Sequence, residues 1–190
     1  MNLTMAIWAL IVLLFSITSS LAQTSTKDSL EANSGIVYGK DHMFVLRAPA
    51  GWVLDNSSGV SQNLNAVFYP EGGSWQHSPT VMYANTASKE VKDNQTLQQV
   101  IDFDIERFRE NHQEVAILPS DSVQTENGKR SVVMLFFYSN YEAVAYIDEE
   151  TIVAMLVLSA ESKSDFDSAF PAFRQLIGSY LFITTDVHVE

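Results

Sequence analysis

Three apolar stretches in the second half of the chain decide its fold: RSVVMLFFY at 130–138, YEAVAYI at 141–147 and TIVAMLVL at 151–158. A sheet with one face in water alternates apolar and polar residues along each strand. Residues 132–137 and 152–158 do not alternate, because they are apolar at every position. Both faces of these strands must therefore be covered by other parts of the chain.

Two amphipathic helices are available as covers. After a capping Asn94 or Thr96, apolar residues recur every three or four positions. They are Leu97, Ile101, Ile105 and Phe108, with Val100 beside them. A second stripe of this kind runs through 164–180, where Pro171 must lie in the first turn or kink the helix. The predicted class is α+β, with an antiparallel β-sheet sandwiched between helices. A β-barrel is the alternative, but it would leave both helices without a role.

Shorter strands are predicted around these elements. The candidates are 35–39, 44–47, 66–69, 80–84 and, more weakly, 121–126. Asn127-Gly128 is the strongest hairpin signal, since a type I′ turn needs positive φ at both positions. The tail from Phe182 onward is predicted to be a short edge strand or a frayed end.

The first 22 residues have the layout of a secretory signal peptide. An apolar run, MAIWALIVLLF, occupies 5–15, and Ser20-Leu21-Ala22 places small side chains before a cleavage site at Gln23. An uncleaved membrane anchor is the alternative, although the run is short of the roughly 20 residues that span a bilayer. We therefore predict a signal peptide at 1–22, a flexible lead-in at 23–34 and a single α+β domain at 35–184. The protein would be exported, either periplasmic or secreted.

Composition excludes several classes of function. The 190-residue chain contains no cysteine, which excludes disulfides, a thiol nucleophile and a cysteine zinc site. Its formal net charge of −12 argues against nucleic acid and anionic membranes as partners. Such a charge favours cations or basic partners. Once the signal is removed, no membrane insertion is expected.

Two pairs of residues are candidate sites. Trp75 and His77 lie in the glycine-containing loop 71–79, and an aromatic ring beside an imidazole suits a mobile recognition loop for a protein partner. The alternative is that Trp75 folds back onto the core. Asp41 and His42 could bind a divalent cation, provided that the turn bends both side chains toward one ion. A separate acidic stretch at 148–150 is predicted to be a solvated hairpin tip.

The order of elements resembles that of the PsbP-like group, which includes DcrB-type exported proteins and a Ran-binding nuclear-import factor. The resemblance rests on FVLRAPAGW at 44–52, on the apolar meander 130–160 and on FDSAFPAFRQLIGSY at 166–180. Members show an F-x-L-x-x-P-x-G-W element. The resemblance implies an α/β/α sandwich and a role as a binding or accessory protein, and no catalytic motif transfers with it.

The chain contains neither a glycine-rich phosphate loop nor a G-x-S-x-G elbow. We therefore predict a non-catalytic exported protein that engages a protein partner through exposed loops and has no resident cofactor. A divalent-cation or small-ligand binder is the alternative. A hydrolase whose residues meet only in the fold is a third hypothesis.

Overall fold

The computed structural model describes residues 33–39, 41–89 and 95–186. The strands are β1 Ser34–Gly39, β2 His42–Arg47, β3 Trp52–Asp55, β4 Ala66–Pro70, β5 Thr80–Ser88, β6 Ala116–Ser120, β7 Val132–Phe137, β8 Tyr141–Asp148, β9 Ile152–Ala160 and β10 Leu181–Thr184. The helices are α1 Leu97–Asn111 and α2 Lys163–Gly178, and a short 3₁₀ turn occupies Val60–Gln62. The signal-peptide and lead-in predictions lie outside the described residues, except for Asn33 and Ser34.

The strands form two antiparallel sheets. The large sheet has seven strands in the order β3-β4-β5-β9-β8-β7-β6, and the small sheet has the order β1-β2-β10. The long strands β5, β8 and β9 lie at the centre of the large sheet. Their pairing runs from Thr80↔Ala160 to Ser88↔Ile152 and from Tyr141↔Ala160 to Asp148↔Val153.

Helices cover both faces of the large sheet, which confirms the predicted α+β sandwich. Helix α2 and the small sheet pack on one face, where Phe44, Phe173 and Tyr180 are fully buried. Helix α1 packs on the other face, with Phe108 stacked on Phe136 at a ring-centroid distance of 4.0 Å. Non-alternating strands therefore do mark a sheet that is buried on both sides.

The FVLRAPAGW stretch joins the two sheets. Phe44 and Leu46 point into the core from β2, and Trp52 enters it again at the start of β3. Between them the chain turns: the Trp52 amide donates to the Pro49 carbonyl at 3.0 Å, and Gly51 has a φ of +77°. A left-handed φ favours glycine, so the glycine of this element is a requirement of the turn.

Two local predictions were wrong. Residues 121–126 form no strand; β6 lies earlier, where Pro119 is tolerated because β6 is an edge strand. At 127–128 only Gly128 has positive φ, so the turn is not type I′. The Gly128 amide donates to the Thr125 carbonyl, and the turn is a type I turn followed by a left-handed glycine.

Helix α1 begins after Thr96, one of its two predicted caps. The Thr96 hydroxyl accepts from the Gln99 amide while the Gln99 side chain accepts from the Thr96 amide, which is a capping box. Ser162 caps α2, and Pro171 lies halfway along that helix rather than in its first turn. Within the described part of the chain, neither helix is long and apolar enough to cross a membrane.

Candidate functional site: a groove beside helix α1

Helix α1 leaves part of its face of the sheet uncovered on the side of β5. The space between them is an open groove of about 280 Å³. Its apolar lining comes from Ala87, Val100, Phe103 and Met155. We call this space the α1 groove. An accessible cavity with apolar walls and a few polar groups is the usual form of a binding site.

A buried carboxylate lies at the wall of the α1 groove. Asp104 is 6% exposed, although it belongs to a helix whose other buried residues are apolar. One carboxylate oxygen accepts from the Tyr146 hydroxyl at 2.9 Å, and the other pairs with Arg107 at 2.9 Å. These two partners offset the cost of burying the charge.

Arg107 separates the α1 groove from a smaller recess. Its guanidinium is held by Asp104 and lies 5.7 Å from the centre of the Phe108 ring, yet 56% of the side chain is exposed. The recess, of about 80 Å³, is lined on its polar side by Tyr83, Asn85 and Glu142. Asp104, Arg107 and Met155 line both cavities, so the two are adjacent.

Glu142 is held by neutral groups. One carboxylate oxygen accepts from the Tyr138 hydroxyl at 2.6 Å and from the Ser159 hydroxyl at 3.3 Å. The Asn140 amide nitrogen in turn donates to Ser159 at 2.7 Å. This network fixes the direction of the carboxylate at the recess.

The phenols around the α1 groove are held in their neutral form. Burial raises the pKa of Tyr83, Tyr138 and Tyr146, and nearby carboxylates raise each pKa further. Glu142 acts on Tyr83 and Tyr138, whereas Asp104 acts most strongly on Tyr146. These hydroxyls therefore stay protonated above neutral pH, and those of Tyr138 and Tyr146 keep donating to Glu142 and Asp104.

The loop with Trp75 and His77 is built from hydrogen-bonded turns. The Ser78 amide donates to the Ser74 carbonyl at 3.0 Å, and the Ser78 hydroxyl accepts from the Ser74 amide at 3.1 Å. His77 is exposed, with its Nδ1 atom 3.1 Å from the Ser74 hydroxyl. Trp75 is half-buried and meets Tyr83 nearly at right angles, with 6.1 Å between ring centroids. The loop therefore reaches the site through Trp75, while His77 points to solvent, and their role in partner binding stays a prediction.

The turn between β1 and β2 does bend Asp41 and His42 together. The His42 Nδ1 atom lies 2.9 Å from an Asp41 carboxylate oxygen, and the imidazole is buried beside Phe44. Each therefore has the other as its partner. Among the residues that the structure describes, no three acidic or histidine side chains converge in a way that could hold a metal ion. The divalent-cation site stays a prediction.

The acidic turn at 148–150 is not simply solvated. Glu149 is 5% exposed, and its carboxylate pairs with Lys129 at 2.5 Å. Lys89 pairs with Asp148 at 2.6 Å. Both lysines are thus engaged in holding the turn against the rest of the protein.

The site residues predicted from the sequence include none of Asp104, Arg107, Glu142, Tyr83 and Asn85. A signal for Asp104 was present, since it lies three residues after Ile101 and so falls on the apolar stripe of α1. Glu142 was signalled in the same way as a charged residue within an apolar strand. No local pattern marks Tyr83 or Asn85.

No protein-family model and no curated protein matches the chain. Solved structures do match the chain. One is a cyanobacterial PsbP (CyanoP) from Synechocystis sp. PCC 6803, which is 11% identical and has a TM-score of 0.49. The aligned region covers 80% of this chain and 94% of the PsbP chain. LpqN from Mycobacterium tuberculosis, described as involved in cell envelope biogenesis, is 15% identical, covers 83% and 96%, and has a TM-score of 0.48. The first of these two proteins bears the name of the group that the sequence resembles.

Proposed function

We propose that this chain is an exported, non-catalytic binding protein that takes a segment of a protein partner in the α1 groove, next to the loop carrying Trp75. The observation that carries the proposal is the uncovered part of the sheet beside α1. There Phe103 remains 54% exposed at the edge of an apolar cavity of about 280 Å³. Export rests on the signal-peptide pattern of residues 1–22.

The polar groups of the groove support binding rather than catalysis. Both oxygens of Asp104 are occupied, by Tyr146 and Arg107, and one oxygen of Glu142 accepts from Tyr138 and Ser159. Carboxylates held in this way give a binding surface charges in fixed positions. A general base must instead have a free oxygen within hydrogen-bond reach of the proton that it removes, and Asp104 has none.

Site-directed crosslinking tests the proposal. Because the chain contains no cysteine, Ser88→Cys provides a single thiol that can carry a photoreactive group at the α1 groove. Ser168→Cys is the matched control, since Ser168 is exposed on α2, which covers the opposite face of the sheet. In the native compartment we expect one crosslinked partner from position 88 and none from position 168.

A second substitution shows whether the groove itself makes the contact. Phe103→Asp places a charge in the apolar lining at a side chain that folding leaves exposed, so the crosslink from position 88 should be lost while the protein stays folded. Crosslinks of equal yield from both positions, or a crosslink that survives Phe103→Asp, would contradict the proposal.

A further inference from the structure

Negatively charged side chains outnumber positively charged ones around the α1 groove and the recess. Helix α1 contributes Asp104 and Arg107, and β8 contributes Glu142, whereas the lining residues of β5 and β9 are uncharged. Arg107 is paired with Asp104 at 2.9 Å. Within the described part of the chain, the hydrogen-bond partners of Glu142 are the neutral hydroxyls of Tyr138 and Ser159. The groove and recess therefore carry one negative charge that no cation in the site balances.

The recess has the chemistry of a small cation site. Besides the Glu142 carboxylate it presents the Asn85 side chain, which is exposed, and the ring of Tyr83. A carboxylate with an amide oxygen accepts from ammonium or guanidinium donors, and an aromatic ring attracts cations. At about 80 Å³ the recess suits the head of one side chain. The net charge of −12 adds long-range attraction for basic partners.

We propose that the α1 groove selects a partner segment in which a lysine or arginine neighbours an apolar residue, a specificity that rests on the function proposed above. The apolar side chain lies against Phe103 and Met155. The basic side chain enters the recess and pairs with Glu142. The shared lining of the two cavities places these subsites side by side. Adjacent residues reach both when the segment bends between them, because successive side chains of an extended segment point to opposite faces.

Defined peptides test this specificity on the full chain. The probes are acetyl-Leu-Xaa-Leu-amide tripeptides in which Xaa is lysine, norleucine or glutamate, and the readout is the ¹³C-methyl NMR signal of Met155. We expect the lysine peptide to bind about fivefold more tightly than the norleucine peptide, the effect of one partly exposed ion pair, and the glutamate peptide to bind most weakly. Glu142→Gln should remove the lysine preference and leave norleucine binding unchanged, because glutamine keeps an acceptor for Tyr138.

Charge-removing variants beside the recess and at a control ion pair show whether charge at the recess determines lysine-peptide binding. Arg107→Gln should strengthen lysine-peptide binding, since it removes the like charge next to the recess. Glu106→Gln and Arg109→Gln make the same charge changes at a pair that is exposed to solvent and does not line the groove, and they should change nothing. If Arg107→Gln unfolds the protein, Glu142→Gln against Glu106→Gln decides the matter alone.

The outcomes separate the two proposals. Equal binding of the lysine and norleucine peptides, with a shifted Met155 signal, would overturn the charge selection and leave the binding groove in place. Preference for the glutamate peptide, lost in Arg107→Gln, would make this an anion site and overturn the inference. If no peptide shifts the Met155 signal in the folded protein, both proposals fail.

Discussion

The side chain of Asp104 occupies a position that the period of α1 assigns to an apolar residue. Burial there is tolerated because two donors satisfy the carboxylate, the Tyr146 hydroxyl and the Arg107 guanidinium. The arrangement links a helix to a central strand across 42 positions of sequence. A buried network of this kind is costly when one member is removed.

Removal of the Asp104 carboxylate should destabilise the protein through Tyr146. We expect Asp104→Ala to lower the free energy of unfolding by about 2–3 kcal/mol and Tyr146→Phe by about 1 kcal/mol. The double variant should lose about 1 kcal/mol less than the sum, because the two groups interact directly. Urea unfolding measures all three. Asp102→Ala, at an exposed position of the same helix, is the control, and strict additivity would show that the hydrogen bond contributes nothing.

At the scale of one element, Pro171 is the feature that sequence analysis left open. It lies halfway along α2 on the solvent side, where it cannot donate to the carbonyl of Asp167, four residues before it. The helix nevertheless continues to Gly178, because Phe166, Phe173 and Ile177 are buried against the sheet. Packing of the apolar stripe therefore outweighs the loss of one backbone hydrogen bond.

Pro171→Ala should stabilise the protein. The substitution restores the amide donor to Asp167 and removes the clash of the ring with that carbonyl, while the unfolded chain gains some freedom. We expect a net gain of about 1–2 kcal/mol in the free energy of unfolding, measured by urea unfolding. Gln175→Ala, which is also exposed on α2, shows how much comes from helix propensity alone. A loss of stability in Pro171→Ala would mean that the ring packs favourably where it stands.

At the scale of the whole molecule, the buried tyrosines tie stability to pH. Burial raises the pKa of Tyr83, Tyr138, Tyr146 and Tyr180 above the ordinary value of 10.0. Below this value both folded and unfolded states carry neutral phenols. Above it the unfolded chain ionises first, so the folded state binds more protons and stability falls as pH rises.

We therefore expect the free energy of unfolding to decrease steadily as pH rises from 10 toward the raised values of the folded state. Tyr146→Phe should make this decrease shallower, since one titrating group is removed. Tyr38→Phe, at a side chain that is 54% exposed, is the comparison. Urea unfolding between pH 9 and about 11.5 measures the slope, and a flat profile would refute the linkage.

The sequence by itself determined the sandwich. Apolar runs without alternation, two helical stripes and the Thr96 cap are local patterns, and each is fixed by the burial and hydrogen-bonding needs of a few neighbouring residues. The two local errors arose where neighbouring residues do not decide the structure. Strand β6 forms because β7 offers it an edge, and of Asn127 and Gly128 only Gly128 takes the left-handed conformation.

Only the tertiary structure decided the candidate site. Arg107 and Glu142 line the same recess because α1 packs on the face of the sheet to which Glu142 points from β8. Tyr83 lines it as well, since β5 and β8 both pair with β9. Nothing in the spacing of these residues marks their convergence, since it depends on strand order and helix placement. The same packing made Asp104 and Glu149 interior groups and placed Trp75 beside Tyr83.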